Sequence, residues 1–238
     1  MKTPIRRQNP LALQPNHHPD DATLVSYAAG GLATALSITV ACHLAICPRC
    51  RQRVSEADAL GGHLLSHLPQ QSLSAEHRQA MLDALDKPAA DEPAAGHRAT
   101  TAMASKEASA EADDLLPAPL QHLLGERFSD LKWSTLGPGM KQVRMHVGNS
   151  NLRLFKIAPG TCMPLHSHGG SELTLVLRGS YSDEIGRFCP GDVADLDPEV
   201  EHQPIADRDQ DCICLIATDA PLRFRGIVPR LLQPFFGL

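Results

Sequence analysis

The composition of this chain breaks near residue 87 and again near 117, and any fold must respect both boundaries. Between them runs KPAADEPAAGHRATTAMASKEASAEA (87–112), rich in Ala, Pro, Ser, Glu and Thr and poor in large apolar side chains. Such a stretch buries too little apolar surface to offset its own ordering entropy. It reads as a linker, drawn over 87–116, although its second half has weak helical character. The flanking halves carry different hydrophobic periods and are expected to form separate units.

The N-terminal half is helical in pattern. Residues 1–16 are polar and proline-interrupted, a flexible N-terminus. From there a helical unit is expected over 17–86. Asp20 or Asp21 can cap DATLVSYAAG, where Leu24, Tyr27 and Ala28 share a face and Gly30-Gly31 ends the helix. A second helix is predicted from about Leu32 to Ile46, and a third from Pro48 to about His67. Ser74 caps a fourth, on which Met81, Leu82 and Leu85 form one stripe.

The C-terminal half (117–238) changes to short strand-like runs: KQVRMHVG, NLRLFKIAPG, ELTLVLRGSYSDE, DVADLD and DCICLIATD. Gly, Pro, Asp and Asn separate them at close intervals. That rhythm predicts an antiparallel β-barrel of jelly-roll type. The fold class is therefore multidomain α + β, a helical bundle followed by a barrel.

Charge and cysteine usage narrow the function. The net charge of -5 argues against a broad basic face for nucleic acid. No secretory signal pattern is present at the N-terminus, and the apolar stretch at 32–47 is too short and interrupted to span a bilayer. The expected location is the cytoplasm. In that reducing compartment the seven cysteines are expected as metal ligands, buried thiols or redox groups, not structural disulfides.

Three of the candidate ligands lie in HLAICPRC. His43 and Cys47 are four apart and share a helix face, and Pro48 can start a new helix that turns Cys50 back toward them. An H-x-x-x-C-x-x-C array of this kind suits tetrahedral zinc. His17 and His18 are the nearest upstream candidates for a fourth ligand. Cys42 points about 100° away round the helix and is read as a packing or redox group.

A second constellation lies in GTCMPLHSHGGSELTLVLRG (160–179), the pattern G-x5-H-x-H-x3-E-x6-G. His166 and His168 are two apart and face the same way on an extended segment. Glu172 starts the next strand, and His202 at the end of GDVADLDPEVEH can complete a set of three histidines and one glutamate. Cys212 and Cys214 alternate along a strand and are expected to pack in the core. Trp133 is expected as a core anchor, and the apolar LLQPFFGL at the C-terminus to dock on the barrel.

The 160–179 segment resembles the first metal motif of the cupin superfamily in every spacing. The second motif keeps Gly191, Pro198 and His202 and lacks the asparagine often found after the histidine. A zinc-binding helical unit, a linker and a cupin together resemble the ChrR family of bacterial anti-sigma factors. The segments HHPDDATLVSYAAG, HLAICPRC, SELTLVLRGSYSDE and DCICLIATDAPLRF carry that likeness across both halves.

The resemblance implies that the fourth zinc ligand is His18, nine residues before Tyr27. It implies a second metal, zinc or another divalent cation, held by His166, His168, Glu172 and His202. The implied partner is a group IV (extracytoplasmic-function) sigma factor, bound as a heterodimer by the helical unit. Direct contact with nucleic acid or membrane is not expected. The cupin half is implied in release of the sigma factor under singlet oxygen or related oxidative stress. No catalytic residues follow from this, and no enzymatic activity is expected. The alternative is a metal-dependent cupin dioxygenase with a regulatory helical unit.

Overall fold

The structure is a computed structural model that describes residues 14–69, 72–85, 114–148, 150–197, 200–220 and 222–224. Helix α1 spans Asp21–Ala28. Its cap is Asp20, whose carboxylate accepts from the Thr23 N–H at 2.6 Å. Gly30, at φ 68, takes the left-handed turn that ends it. Helices α2 (Thr34–Ile46) and α3 (Pro48–Ser66) follow, with Pro48 in the first turn of α3. Helix α4 (Ala75–Leu85) is capped by Ser74, which accepts from the His77 N–H at 3.2 Å. These bounds lie within two residues of those expected. The expected linker falls mostly on residues 86–113, outside the described ones, as does the LLQPFFGL tail.

The half expected to form a β-barrel opens with a further helix, α5 (Ala118–Leu124), and a short 3-10 turn at Phe128–Asp130. Eleven strands follow among the described residues. The main sheet takes the order β1 (Ser134–Gly137), β2 (Met140–Val147), β3 (Ser150–Ile157), β10 (Cys212–Thr218), β5 (Glu172–Arg178), β8 (Val193–Leu196). Every pairing in it is antiparallel. Two small sheets face it: β4 (His166–His168) with β11 (Leu222–Phe224), and β6 (Tyr181–Ser182) between β7 (Arg187–Phe188) and β9 (Ile205–Ala206). The expected jelly-roll layering is present, but as open sheets rather than one closed ring of described strands. Short strands broken by glycine turns leave gaps in the ladder.

The main sheet is apolar on both faces, and strand parity sorts the residues. Leu152, Leu154, Leu173, Leu175, Ile213, Leu215 and Ala217 face outward and share one buried cluster with Leu24, Leu36 and Val40 of the helices. Phe155, Ile157, Val176, Cys212 and Cys214 face inward and form a second cluster with Met163, Tyr181 and Phe188. Continuous apolar runs such as CICLIAT are what two-sided burial requires.

Helix α2 is therefore the keystone between the halves. It packs on α1 and α3 on one side and on α5, β3, β5 and β10 on the other. Fully burying a Leu or Val there contributes about 1.5–3 kcal/mol. Even its cap is borrowed. The N-cap residue Ala33 has no side-chain acceptor, and Ser150 Oγ, at the start of β3, accepts from the Ala35 N–H at 2.9 Å. Trp133 packs, partly buried, against this shared core.

Candidate metal centres

The first centre is built where α2 meets α3. His43 and Cys47 sit at the end of α2, and Cys47 also caps α3, its Sγ accepting from the Cys50 N–H at 3.4 Å. That bond and the proline at the first turn fold Cys50 back beside Cys47, as the spacing suggested. His18 comes in from the irregular segment that leads into α1. Its Nδ1 lies 3.5 Å from Cys47 Sγ, 3.4 Å from Cys50 Sγ and 3.5 Å from His43 Nε2. His43 Nε2 lies 3.3 Å from Cys50 Sγ. A tetrahedron with metal–N near 2.0–2.1 Å and metal–S near 2.3 Å has edges of roughly 3.3–3.8 Å. The four side chains are thus already spaced to hold one cation.

His17 is turned the other way. Its ring packs on Phe188 at 4.4 Å between centroids, and its Nδ1 lies 3.4 Å from Asp192 Oδ2. The neighbouring histidines thus part: His18 faces the cluster and His17 faces the sheet. Cys42 is buried among core residues, and burial pushes its thiol up to about 12.

Both ring nitrogens of His43 have a task. Nδ1 donates to the Gly191 carbonyl at 2.9 Å, which leaves the Nε2 lone pair facing Cys50 and His18. Burial holds the ring neutral, down at about 4. Burial also pushes the Cys50 thiol up to about 12, with Cys47 beside it adding to the rise. A divalent cation inverts that preference by stabilising thiolate and neutral imidazole together.

The second centre lies inside the C-terminal unit. His166, Glu172 and His202 are buried, with their ligand atoms within 4.8 Å of one another. An isolated bridge pairs His166 with His202, and their rings stand 4.5 Å apart. His166 Nδ1 bonds the Pro164 carbonyl at 2.9 Å, and His202 Nδ1 bonds Asp183 Oδ2 at 2.9 Å. Glu172 accepts from Thr174 Oγ1 at 3.0 Å. Burial pushes Glu172 up to about 7 and His166 down to about 4. His168 lies on β4 opposite Leu222, and its side chain is outside the described set.

A cavity of about 110 Å³ opens beside this centre, lined by Arg153, His166, Glu172, Tyr181, His202 and Cys214 among others. Cys212 and Cys214 are buried with their sulfurs 3.5 Å apart, in keeping with the packing role expected of them.

Sequence reasoning did not find the supports behind the ligands. Asp183 has a visible signal in SDEIG, where its Oδ1 accepts from the Ile185 and Gly186 N–H groups. That is a turn aspartate, and nothing local says its other oxygen holds His202. Pro164 and Gly191 act through carbonyl oxygens, which no side-chain pattern reveals.

A cupin-like sheet with a His/Glu centre inside, joined through a shared core to a helical layer with a His/Cys centre, defines a two-centre cupin protein. Residues 123–221 match the family described as the ChrR cupin-like domain. The anti-sigma-E factor ChrR of Cereibacter sphaeroides is 43% identical over 223 residues, covering 93% of this chain and 98% of that protein. The crystal structure of Rhodobacter sphaeroides SigE in complex with the anti-sigma ChrR matches with TM-score 0.70 and 39% identity, over 86% of this chain and 99% of that one. This chain belongs to the ChrR family of anti-sigma factors.

Proposed function

We propose that this protein is an anti-sigma factor that binds and inhibits a group IV sigma factor as a heterodimer. The relative's name and the SigE–ChrR complex support a sigma-factor partner. The observation that carries the proposal here is the set of exposed large apolar side chains on α3 and α4. Leu60, Leu64, Leu65 and Met81 are 60–70% exposed, and Leu85 is 81% exposed. A group of exposed large apolar side chains of this kind marks a partner site. The stripe expected on α4 is thus free for a partner, whereas Leu24, Leu36 and Val40 belong to the core.

Zinc held by His18, His43, Cys47 and Cys50 would tie the N-terminal segment to α2 and α3 and contribute folding energy directly. His166, His168, Glu172 and His202 would hold a second zinc or another divalent cation. Inhibition is steric and requires no catalysis. The C-terminal half serves release of the sigma factor under singlet oxygen or related oxidative stress. Its imidazole, thiol and thioether groups are the side chains such oxidants attack. No helix among the described residues is long and apolar enough to cross a membrane. The protein acts in the cytoplasm, with its sigma factor, and touches neither membrane nor nucleic acid.

Co-purification with a group IV sigma factor from the same genome tests the proposal. The intact protein should retain the sigma factor, and His43→Ala should lose it. Undiminished binding by a zinc-free His43→Ala protein removes zinc from the mechanism; no binding by the intact protein removes the function. The cavity beside the second centre favours a second reading, a metal-dependent dioxygenase. Metal analysis separates the two: zinc at both centres supports the regulator, iron with oxygen uptake the enzyme.

A further inference from the structure

The turn that enters β8 reaches across to the first metal centre. Gly191 supplies the carbonyl that holds His43 Nδ1 at 2.9 Å. It sits at φ 94, and a Cβ there would meet Pro15 Cγ at 3.1 Å and Ile46 Cγ2 at 3.5 Å. The left-handed φ favours glycine, and a Cβ here would press on Pro15.

Asp192, next in sequence, is 1% exposed. Its carboxylate gathers three backbone N–H groups: Asn16 at 2.6 Å, His17 at 3.1 Å and Cys189 at 2.8 Å. The Val193 N–H donates to the His17 carbonyl at 3.1 Å, and Asp195 Oδ2 accepts from the Asp20 N–H at 3.0 Å. These bonds bracket His18 on both sides. Cys47 and Cys50 are positioned by the α2–α3 corner itself, but His18 and His43 are positioned by the C-terminal unit.

We propose that the turn at residues 189–192, with the start of β8, is the outer coordination shell of the His18/His43/Cys47/Cys50 centre, with Asp192 as its positioning residue. The inference rests on the ligand assignment made above. Outer-shell partners fix ring orientation and strengthen the ligands. Linkage then works both ways: docking of the turn raises the metal affinity of the helical centre, and bound metal strengthens docking by the same factor. A change inside the C-terminal unit that shifts β8 therefore reaches the helical centre without passing through residues 87–116. Glu172 pairs with Leu196 across β5 and β8, so the second centre lies on a strand bonded to the one that carries the turn.

Cobalt(II) titration of the full-length protein tests this. Thiolate-to-cobalt charge-transfer absorption reports the first centre alone, because the second offers only nitrogen and oxygen ligands. Asp192→Ala should weaken cobalt binding at the thiolate centre by about 10–100-fold, and Asp192→Asn by a smaller factor in the same direction. Affinity at the second centre should stay unchanged, which separates positioning from general loosening. Full thiolate-centre affinity in both variants overturns the inference. If Asp192→Ala does not fold, Asp192→Asn, which keeps the side-chain shape, decides by the same criterion. Weaker cobalt binding at the thiolate centre in His43→Ala, with parental affinity in both Asp192 variants, overturns the outer-shell role alone. Parental affinity at that centre in His43→Ala overturns the ligand assignment beneath it.

Discussion

The imidazole of His43 is held from behind by the carbonyl oxygen of Gly191, 2.9 Å from Nδ1 and 148 positions along the chain. The ring is fully buried between a helix end and a sheet turn. One side of the histidine thus belongs to the candidate metal cluster and the other to the seam between two structural units. Metal removal should therefore loosen more than the local site. A structural zinc in a small domain is worth many kcal/mol of folding energy. Since 1 kcal/mol shifts Tm by roughly 2–4 °C in a chain of this size, stripping the metal should lower Tm by about 10 °C or more. Thermal melts before and after chelation check this; an unchanged Tm means the first centre contributes nothing to the fold.

The same seam supplies the cap that α2 lacks. Ser150→Ala leaves the Ala35 N–H without its acceptor in a buried position. Loss of a cap costs about 1 kcal/mol, so Tm should fall by roughly 2–4 °C. Metal content should not change. A melt identical to that of the parent protein would show that water replaces the serine oxygen at no cost.

Part of this architecture was legible and part was not. The four helices and the ligand spacings announce themselves because capping residues, apolar periodicity and i, i+4 histidine–cysteine pairs are local signals. The open sheets are less visible, since β7 and β9 are two residues long and carry no period. Helix α5 hides in APLQHLL, a stretch short enough to pass for a strand lead-in. The seam itself is invisible to any local pattern. Nothing near Ala33 or Asp192 in the sequence points to Ser150 or to Asn16 and His17, which the fold brings beside them. The open choice between His17 and His18 had the same origin: the two neighbours face different surroundings, His17 the sheet at Phe188 and Asp192 and His18 the cysteines, and no local pattern shows which is which.

The uncovered leucines of α3 and α4 separate binding from folding. Leu64 and Leu65 are 60% and 70% exposed, so replacing both with aspartate should leave Tm within a degree or two. Their loss from a partner interface should weaken sigma-factor binding by at least roughly tenfold, the cost of one buried anchor. Calorimetric titration of the sigma factor into parent and variant reads the ratio. Equal affinities would move the contact surface away from this face.

The second centre has its own support. The Asp183 side chain is buried and held in place by the Ile185 and Gly186 N–H groups, and its other oxygen bonds His202 Nδ1. Asp183→Asn keeps the shape but weakens the bond to Nδ1. Metal affinity at the second centre should drop by about 10–100-fold, with the thiolate centre unchanged. Metal competition assays on the variant decide the matter; a parental affinity would reduce Asp183 to a turn residue.

Acid should unfold the metal-free protein sooner than its composition suggests. Burial holds His43 and His166 at about 4 in the folded state, against an ordinary 6.5. The unfolded chain therefore binds more protons between those values, and stability is lost as pH falls from about 6.5 toward 4. Glu172 acts oppositely: burial raises it to about 7, so the folded state gains a proton that the unfolded chain lacks above 4.5. Near pH 5 two histidines outweigh one glutamate by about one proton, which is about 1.4 kcal/mol of stability per pH unit. His18, also lowered by burial, adds in the same direction. Urea denaturation of chelator-treated protein at pH 7 and pH 5 should show the lower midpoint at pH 5. A midpoint that holds or rises in acid would mean that the buried histidines are already charged in the folded chain.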